Sequence, residues 1–168
     1  AVEQRLPLAY ARMADVELEV IFATLFADAL SRLELTGDAA RLAYEMGLLS
    51  PDYGRLYKSP HEPQDVRGLS LAGLAQGSVK GLAAPDSMAR AIAPAFNGSE
   101  PVFSEDAHLL IDQNRIGEAL LLAMVRIEVG LHGEMAKLTE GLALLRHLGL
   151  EDTARRTALD LMLLERRG

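Results

Sequence analysis

Two pairs of side chains have spacings that suit metal ligands on a helix. Glu105 and His108 stand three residues apart, so on a helix both point the same way, as in the Glu-x-x-His motif of carboxylate-bridged metal pairs. Such a centre needs a second copy of the motif, which the sequence lacks, so we interpret Glu105 as an acidic first-turn residue. Glu128 and His132 fit two ligands, an acid–base pair or a helix-surface pair. No feature selects a zinc site, and we predict no metal and no cofactor.

Ser70 lies in a segment that partly matches the nucleophile elbow of hydrolases. In Gly68-Leu-Ser-Leu-Ala-Gly73 the second glycine comes one residue too late, and no predicted strand precedes it, so we interpret Ser70 as a loop or helix residue. The nearby Gly77-Ser-Val-Lys80 has the wrong order for a phosphate-binding loop. Neither segment predicts catalysis.

The remaining candidates lie mostly around the proline-rich middle of the chain. Tyr53 and Tyr57 flank Arg55 directly before a polar loop, and Tyr44 lies upstream. Aromatic rings beside a loop can bind a peptide or glycan, although tyrosines more often anchor a loop on the core. The candidate partner contacts are Tyr44, Tyr53, Arg55 and Tyr57. The candidate catalytic residues, should the chain be an enzyme, are Glu45, His61 and His108.

Composition indicates a helical globular protein. The 168 residues are 49% hydrophobic and 24% charged but only 5% aromatic, and a core of Leu, Ala, Val, Ile and Met favours helices over strands. The formal charge of −7, with scattered basic residues, argues against nucleic acid as a partner. The absence of cysteine excludes disulfides and thiolate chemistry.

The sequence also bears on membranes and targeting. Glu118 and Arg126 bracket the apolar run 119–125, so no stretch reaches the roughly 20 uncharged apolar residues of a membrane span. The N-terminus does not resemble a signal peptide, because Glu3 and Arg5 come first and no apolar region follows before Arg12 and Asp15. The start at Ala1 fits a removed initiator methionine, a cleaved leader or a piece of a longer chain. We expect a soluble chain, and a bacterial cytoplasm or periplasm suits it equally.

Apolar periodicity predicts core helices towards both ends of the chain. One stripe predicts the buried face of a helix over 15–33: Leu18, Ile21, Phe22, Leu25, Ala29 and Leu33. Thr36-Gly37-Asp38 then ends this helix and caps a short second helix over 39–46. Around 116–131 the chain is apolar on most sides, which predicts a central helix. Two further helices are expected, one before and one after Gly149.

Between these ends the chain is irregular. Six of the seven prolines lie from Pro51 to Pro101, and helices are predicted there only over 66–82 and 87–96. We therefore predict one all-α domain over 1–168, with an N-terminal hairpin (15–50), a loop-rich middle (51–103) and C-terminal helical hairpins (104–168). The hairpins are expected to pack as a bundle or a short right-handed array.

One pattern occurs twice at an offset of 115 residues, in 30–46 and 145–161. The identical positions are Leu30, Leu33, Leu35, Ala39, Arg41 and Ala43, matching Leu145, Leu148, Leu150, Ala154, Arg156 and Ala158. The first copy resembles a tetratricopeptide-type repeat, with Gly37-Asp38 at the inter-helix turn and Pro51 at the terminal proline. It departs from that family in its short second helix and in the lack of a continuous 34-residue period. The resemblance, over about a third of the chain, implies a protein-binding scaffold with a concave surface.

Three functions remain open from the sequence. The leading hypothesis is a non-catalytic interaction or assembly module that binds a protein or peptide, or another copy of itself. The alternative is a helical enzyme or ligand-binding domain with its site near the loop-rich middle. The third is a structural domain of a larger multidomain protein.

Overall fold

The computed structural model describes residues 2–164, and all regular secondary structure in this range is helical. Ten helices and no strand are found in that range, which confirms the all-α prediction. The helices are α1 (Val2–Ala14), α2 (Glu19–Leu30), α3 (Gly37–Leu49), α4 (Tyr53–Leu56), α5 (Val66–Gln76), α6 (Ser87–Phe96), α7 (Glu105–Asp112), α8 (Ile116–Leu131), α9 (Met135–His147) and α10 (Glu151–Leu163). Within the same range, no helix is long and apolar enough to cross a membrane.

The chain divides into two compact units. Unit 1 contains residues 1–76 and 159–168, and unit 2 contains 77–158. One boundary therefore falls directly after α5 and the other falls inside α10. The prediction of a single domain over 1–168 stays a prediction.

In unit 1, the pair α2/α3 forms the most extensive helix contact, and α1 packs against both helices. A core cluster joins the three helices through Leu6, Ala23, Leu30, Ala43, Met46 and Leu49. Helix α1 was not among the predicted elements, because Pro7 lies inside it and proline removes a backbone donor. Helix α3 has 13 residues, so the predicted second helix over 39–46 was too short.

The predicted buried face of α2 was wrong. Ile21 is 56% exposed and Leu25 is 69% exposed, whereas Ala23 and Ala27 on another face are fully buried. Small side chains let two helix backbones approach closely, and the bulky side chains then remain outside the contact. The helix is apolar on both faces, and the apolar residues of its buried face are Ala23, Ala27 and Leu30.

The middle of the chain holds three helices, of which α6 coincides with the predicted 87–96. Asp86 caps it by accepting a hydrogen bond from the Ala89 amide at 2.8 Å, a local interaction that the sequence signals directly. Helix α5 ends at Gln76, earlier than predicted, because Gly77 has φ +88°. A Cβ at Gly77 would also lie 2.6 Å from the Arg155 guanidinium, so the turn requires glycine.

In unit 2, α8 and α9 pack with their backbones close together, and α9 also packs on α6. A Cβ added to Gly130 would lie 2.4 Å from the Leu138 amide nitrogen, and one added to Gly141 would lie 2.7 Å from the Ala123 carbonyl oxygen. The prediction of α8 as a central helix was wrong, because Leu121 is 62% exposed. Ala119, Ala123 and Gly130 are its buried residues.

A buried charged cluster fixes the start of α7, which begins directly after Ser104 and has Glu105 in its first turn, as the sequence indicated. Both the Ser104 amide and its hydroxyl donate to the Glu140 carboxylate, the amide at 2.7 Å. The Arg126 guanidinium lies 3.1 Å from the same carboxylate and 2.7 Å from Asp106. Hydrogen bonding to Ser104, followed by the charge of Arg126, holds the pKa of Asp106 below its usual range. Helices α7, α8 and α9 are thereby joined by polar contacts as well as by packing.

Candidate functional site

The two possible metal-ligand pairs lie on the surface. His108 is exposed, and its ring meets the edge of Phe103 with centroids 5.8 Å apart. His132 follows α8 and contacts Glu128 through the backbone oxygen at 2.8 Å and the carboxylate at 3.6 Å. No group of three or more metal-binding side chains is present among residues 2–164. The Glu128–His132 geometry is that of a helix-surface pair.

Ser70 is buried inside α5. A helical residue without surface exposure has none of the geometry of a nucleophile elbow, in which the serine sits on an exposed turn between a strand and a helix. The interpretation of Ser70 as a helix residue is confirmed.

The tyrosines of the candidate contact surface anchor the loop after α4. Tyr44 and Tyr53 are 1% and 4% exposed, and the Tyr44 hydroxyl donates to the Tyr57 carbonyl at 3.2 Å. Burial, followed by the nearby Glu62 charge, raises the pKa of Tyr44. Arg55 lies on the surface 2.6 Å from Asp28, and this hydrogen bond lowers the pKa of that carboxyl. In this structure Tyr44 and Tyr53 present no surface to a partner.

The three candidate catalytic residues occupy separate places. Glu45 lines one cavity of unit 1, His61 lines another near the start of α3, and His108 belongs to unit 2. The His61 cavity also holds the ion pair of Arg41 and Asp65 at 3.1 Å. Acid–base catalysis requires groups within hydrogen-bond reach of one reacting atom. Glu45 and His61 line different cavities, so neither of these two cavities brings them together.

The cavity that Glu45 lines, hereafter the polar cavity, has a volume of about 440 Å³. Its main lining residues are Tyr10, Asp15, Glu19, Glu45, Arg67 and Met162. The Arg67 guanidinium lies 3.5 Å from the Glu45 carboxylate and donates to the Met162 carbonyl at 2.7 Å. Three carboxylates therefore line the polar cavity with one guanidinium, which already pairs with one of them.

Glu19 is the most unusual residue of the polar cavity. It is 9% exposed, and among residues 2–164 its carboxylate has no hydrogen-bond or ion-pair partner. Sequence reasoning missed Glu19 because the apolar periodicity placed the buried face of this helix on other residues. The available signal was its register: Glu19, Ala23 and Ala27 follow at steps of four, so they share the buried face of α2.

A third concave surface of unit 1, hereafter the apolar groove, lies between α1 and α2. Its volume is about 380 Å³, and its main lining residues are Leu6, Ala9, Phe22, Phe26, Leu30 and Leu33. Among residues 2–164, Arg5 is the one charged residue that lines it. Phe26 and Leu33 are 45% and 40% exposed, so the groove presents bulky apolar side chains to the solvent.

Comparison with known proteins gives no relative. No family model matches the chain, and no curated protein or solved structure is significantly similar to it. The apolar groove and the polar cavity are therefore the features that bear on function.

Proposed function

We propose that this chain is a non-catalytic protein-interaction module that binds an amphipathic helix of a partner protein in the apolar groove. The observation that carries the proposal is the exposed apolar lining of this groove, where Phe26 and Leu33 are 45% and 40% exposed. A contiguous patch of exposed apolar residues often marks an interaction site, whereas single exposed apolar residues are common on any protein surface. Burial of one such side chain contributes about 1.5 to 3 kcal/mol to association.

The shape and charge of the apolar groove favour a helical partner. A groove between two helices accepts the apolar stripe of a third helix, whose anchor residues recur every three or four positions. On the α2 side, residues 20–27 carry no charge, so a partner can bury this side of the groove without desolvating an ion, and Arg5 is the charged side chain on the α1 side. The net charge of −7 attracts a partner with basic residues flanking its apolar stripe.

The decisive experiment places a photo-crosslinking amino acid at Phe26 in the full chain and, as the matched control, at Thr24. Thr24 lies on the same helix and is exposed, but it does not line the groove. We expect the Phe26 probe to crosslink to one helical segment of a partner, and Phe26→Asp but not Thr24→Asp to abolish capture. Equal crosslinking from both positions, or unchanged capture by Phe26→Asp, would contradict the proposal.

The outward face of α8 supports a second candidate, self-association. Leu121, Met124 and Val125 are 62%, 58% and 55% exposed, and two copies can meet on such a face without burying charges. Sedimentation velocity over a range of concentrations tests this candidate. Met124→Glu should dissociate the oligomer and Glu128→Gln should not, whereas a wild-type monomer at all concentrations would contradict self-association.

A further inference from the structure

We infer that the polar cavity binds a small organic cation, with Glu19 as the residue that pairs with its ammonium or guanidinium group. The inference is independent of the apolar groove, since Glu19 does not line that groove. It rests on a buried carboxylate without a partner in a cavity large enough for a small molecule.

Glu19 has little exposure and no protein partner among residues 2–164, and its carboxylate oxygens keep access to solvent through the cavity. A carboxylate in such a place is stabilised further when a cation or hydrogen-bond donors replace part of its hydration. As the first residue of α2, Glu19 benefits from the positive end of the helix dipole. That benefit is equally available to a solvent-exposed first-turn carboxylate, so it does not account for burial against a cavity. A cationic ligand supplies the missing charge.

Charge in the rest of the polar cavity is consistent with a cation. The Arg67 guanidinium is held by Glu45 and by the Met162 carbonyl, so its charge is directed towards groups other than Glu19. Asp15 adds a further carboxylate to the lining. Since Asp15 and Glu45 have interactions of their own, the charge left without a partner among residues 2–164 is the negative charge of Glu19, which repels an anionic ligand.

Size and wall chemistry favour an organic cation. A volume of about 440 Å³ lies within the roughly 300–1,000 Å³ range of small-molecule pockets. Ala11, Ala14 and Leu163 also line the cavity, and their apolar side chains can contact the carbon chain of the ligand. The site thus suits an alkylammonium or alkylguanidinium, in which one charged end is joined to a short apolar chain.

The test is an NMR titration of the full chain with n-butylguanidinium and n-butylammonium, with n-butyrate as the probe of opposite charge. We expect saturable shifts of the Ala11, Ala14 and Glu19 amides with at least one cation and none with n-butyrate. Glu19→Gln should weaken binding tenfold or more. The matched control Glu128→Gln, which changes an exposed carboxylate on α8, should bind as the wild type does.

Leu164 of the cavity lining is followed in sequence by Glu165, Arg166 and Arg167. Because the two arginines carry the same chemistry as the probe, the titration is repeated with the R166Q/R167Q variant. Saturable binding to either protein that Glu19→Gln removes supports the inference. Saturation with neither protein, or equal affinity of the Glu19→Gln variant, overturns it.

Discussion

The pairs α2/α3 of unit 1 and α8/α9 of unit 2 reach close packing by different means. The second pair relies on glycine, since added Cβ atoms at Gly130 and Gly141 would collide with backbone atoms. In α2 the fully buried residues are alanines, Ala23 and Ala27. Both first helices leave several bulky side chains exposed, among them Leu25 and Leu121. Small residues therefore form much of the packed face in both helices, and many of the larger apolar side chains lie on another surface.

The two pairs also differ in the partners of a buried carboxylate. Glu140 on α9 is 8% exposed and is paired with Ser104 and Arg126, whereas Glu19 on α2 is 9% exposed and has no partner in the described residues 2–164. A satisfied buried charge holds neighbouring elements in place. A carboxylate without a protein partner makes no such contact and is free to pair with a ligand. Glu140 thus joins elements of unit 2, and Glu19 is the residue on which the proposed ligand site of unit 1 depends.

The largest expected effect is on the glycine contact of α8/α9. Gly130→Ala should lower the free energy of unfolding by about 3 kcal/mol, because the new Cβ must displace the Leu138 backbone. Urea denaturation measures the change. Gly117 lies on the same helix with nothing within 4 Å of an added Cβ, so Gly117→Ala should stabilise by about 0.5 kcal/mol. Equal stability of the two variants would refute close backbone packing.

The next effect separates the two buried carboxylates. Glu140→Gln should destabilise by about 2 kcal/mol, since Arg126 loses the charge that balances it. Glu19→Gln should instead stabilise by about 1 kcal/mol, since it removes a buried charge that has no partner. Chemical denaturation of both variants provides the measurement. Destabilisation by Glu19→Gln would mean that its carboxylate is satisfied in solution, and the contrast would fail.

A third experiment tests which face of α2 is packed. Ala23→Leu should destabilise by about 1.5 kcal/mol because a fully buried position cannot accept a larger side chain. Leu25→Ala should change stability by less than about 0.5 kcal/mol, as is usual for an exposed residue. Thermal unfolding of the two variants checks both values. The reverse ranking would restore the face that periodicity predicted.

The smallest effect concerns the ion pairs of the two units. Burial raises the pKa of Glu151, but hydrogen bonds from Arg146 and Arg155 outweigh it and leave that pKa below its ordinary value of 4.5. A lowered folded-state pKa gives stability that is present above pH 4.5 and is lost as the pH falls through the folded value. The wild type should therefore exceed Glu151→Gln by about 0.5 kcal/mol at pH 7, with the difference vanishing in acid.

Asp28→Asn provides the unit 1 comparison. The hydrogen bond from the exposed Arg55 lowers the pKa of Asp28 below 3.8, so the sign of the pH dependence is the same and the range lies lower. Salt screens exposed charges more than partly buried ones. In 0.5 M NaCl, the change in the free energy of unfolding caused by Asp28→Asn should therefore decrease more than the change caused by Glu151→Gln. Equal salt sensitivity would contradict the difference in burial.

Local features were predictable and long-range ones were not. The cap at Asp86 and the start after Ser104 use residues within one helical turn, so α6 and α7 were found from sequence. The Tyr44–Tyr57 anchor matched a common role of tyrosine beside a loop. The exposed face of α2 and the partnerless Glu19 were missed, because periodicity finds stripes but cannot tell which of two apolar stripes faces the core.

The sequence alone determined the helical class, since it is poor in aromatic residues and rich in Leu and Ala with periods of three and four. It also determined several helix boundaries, because caps and glycine turns act over a few residues. Tertiary structure alone decided which faces are buried and which polar groups meet. Residues distant in sequence, such as Ser104 and Glu140, come together only when helix backbones pack, and the closest packing follows the smallest side chains.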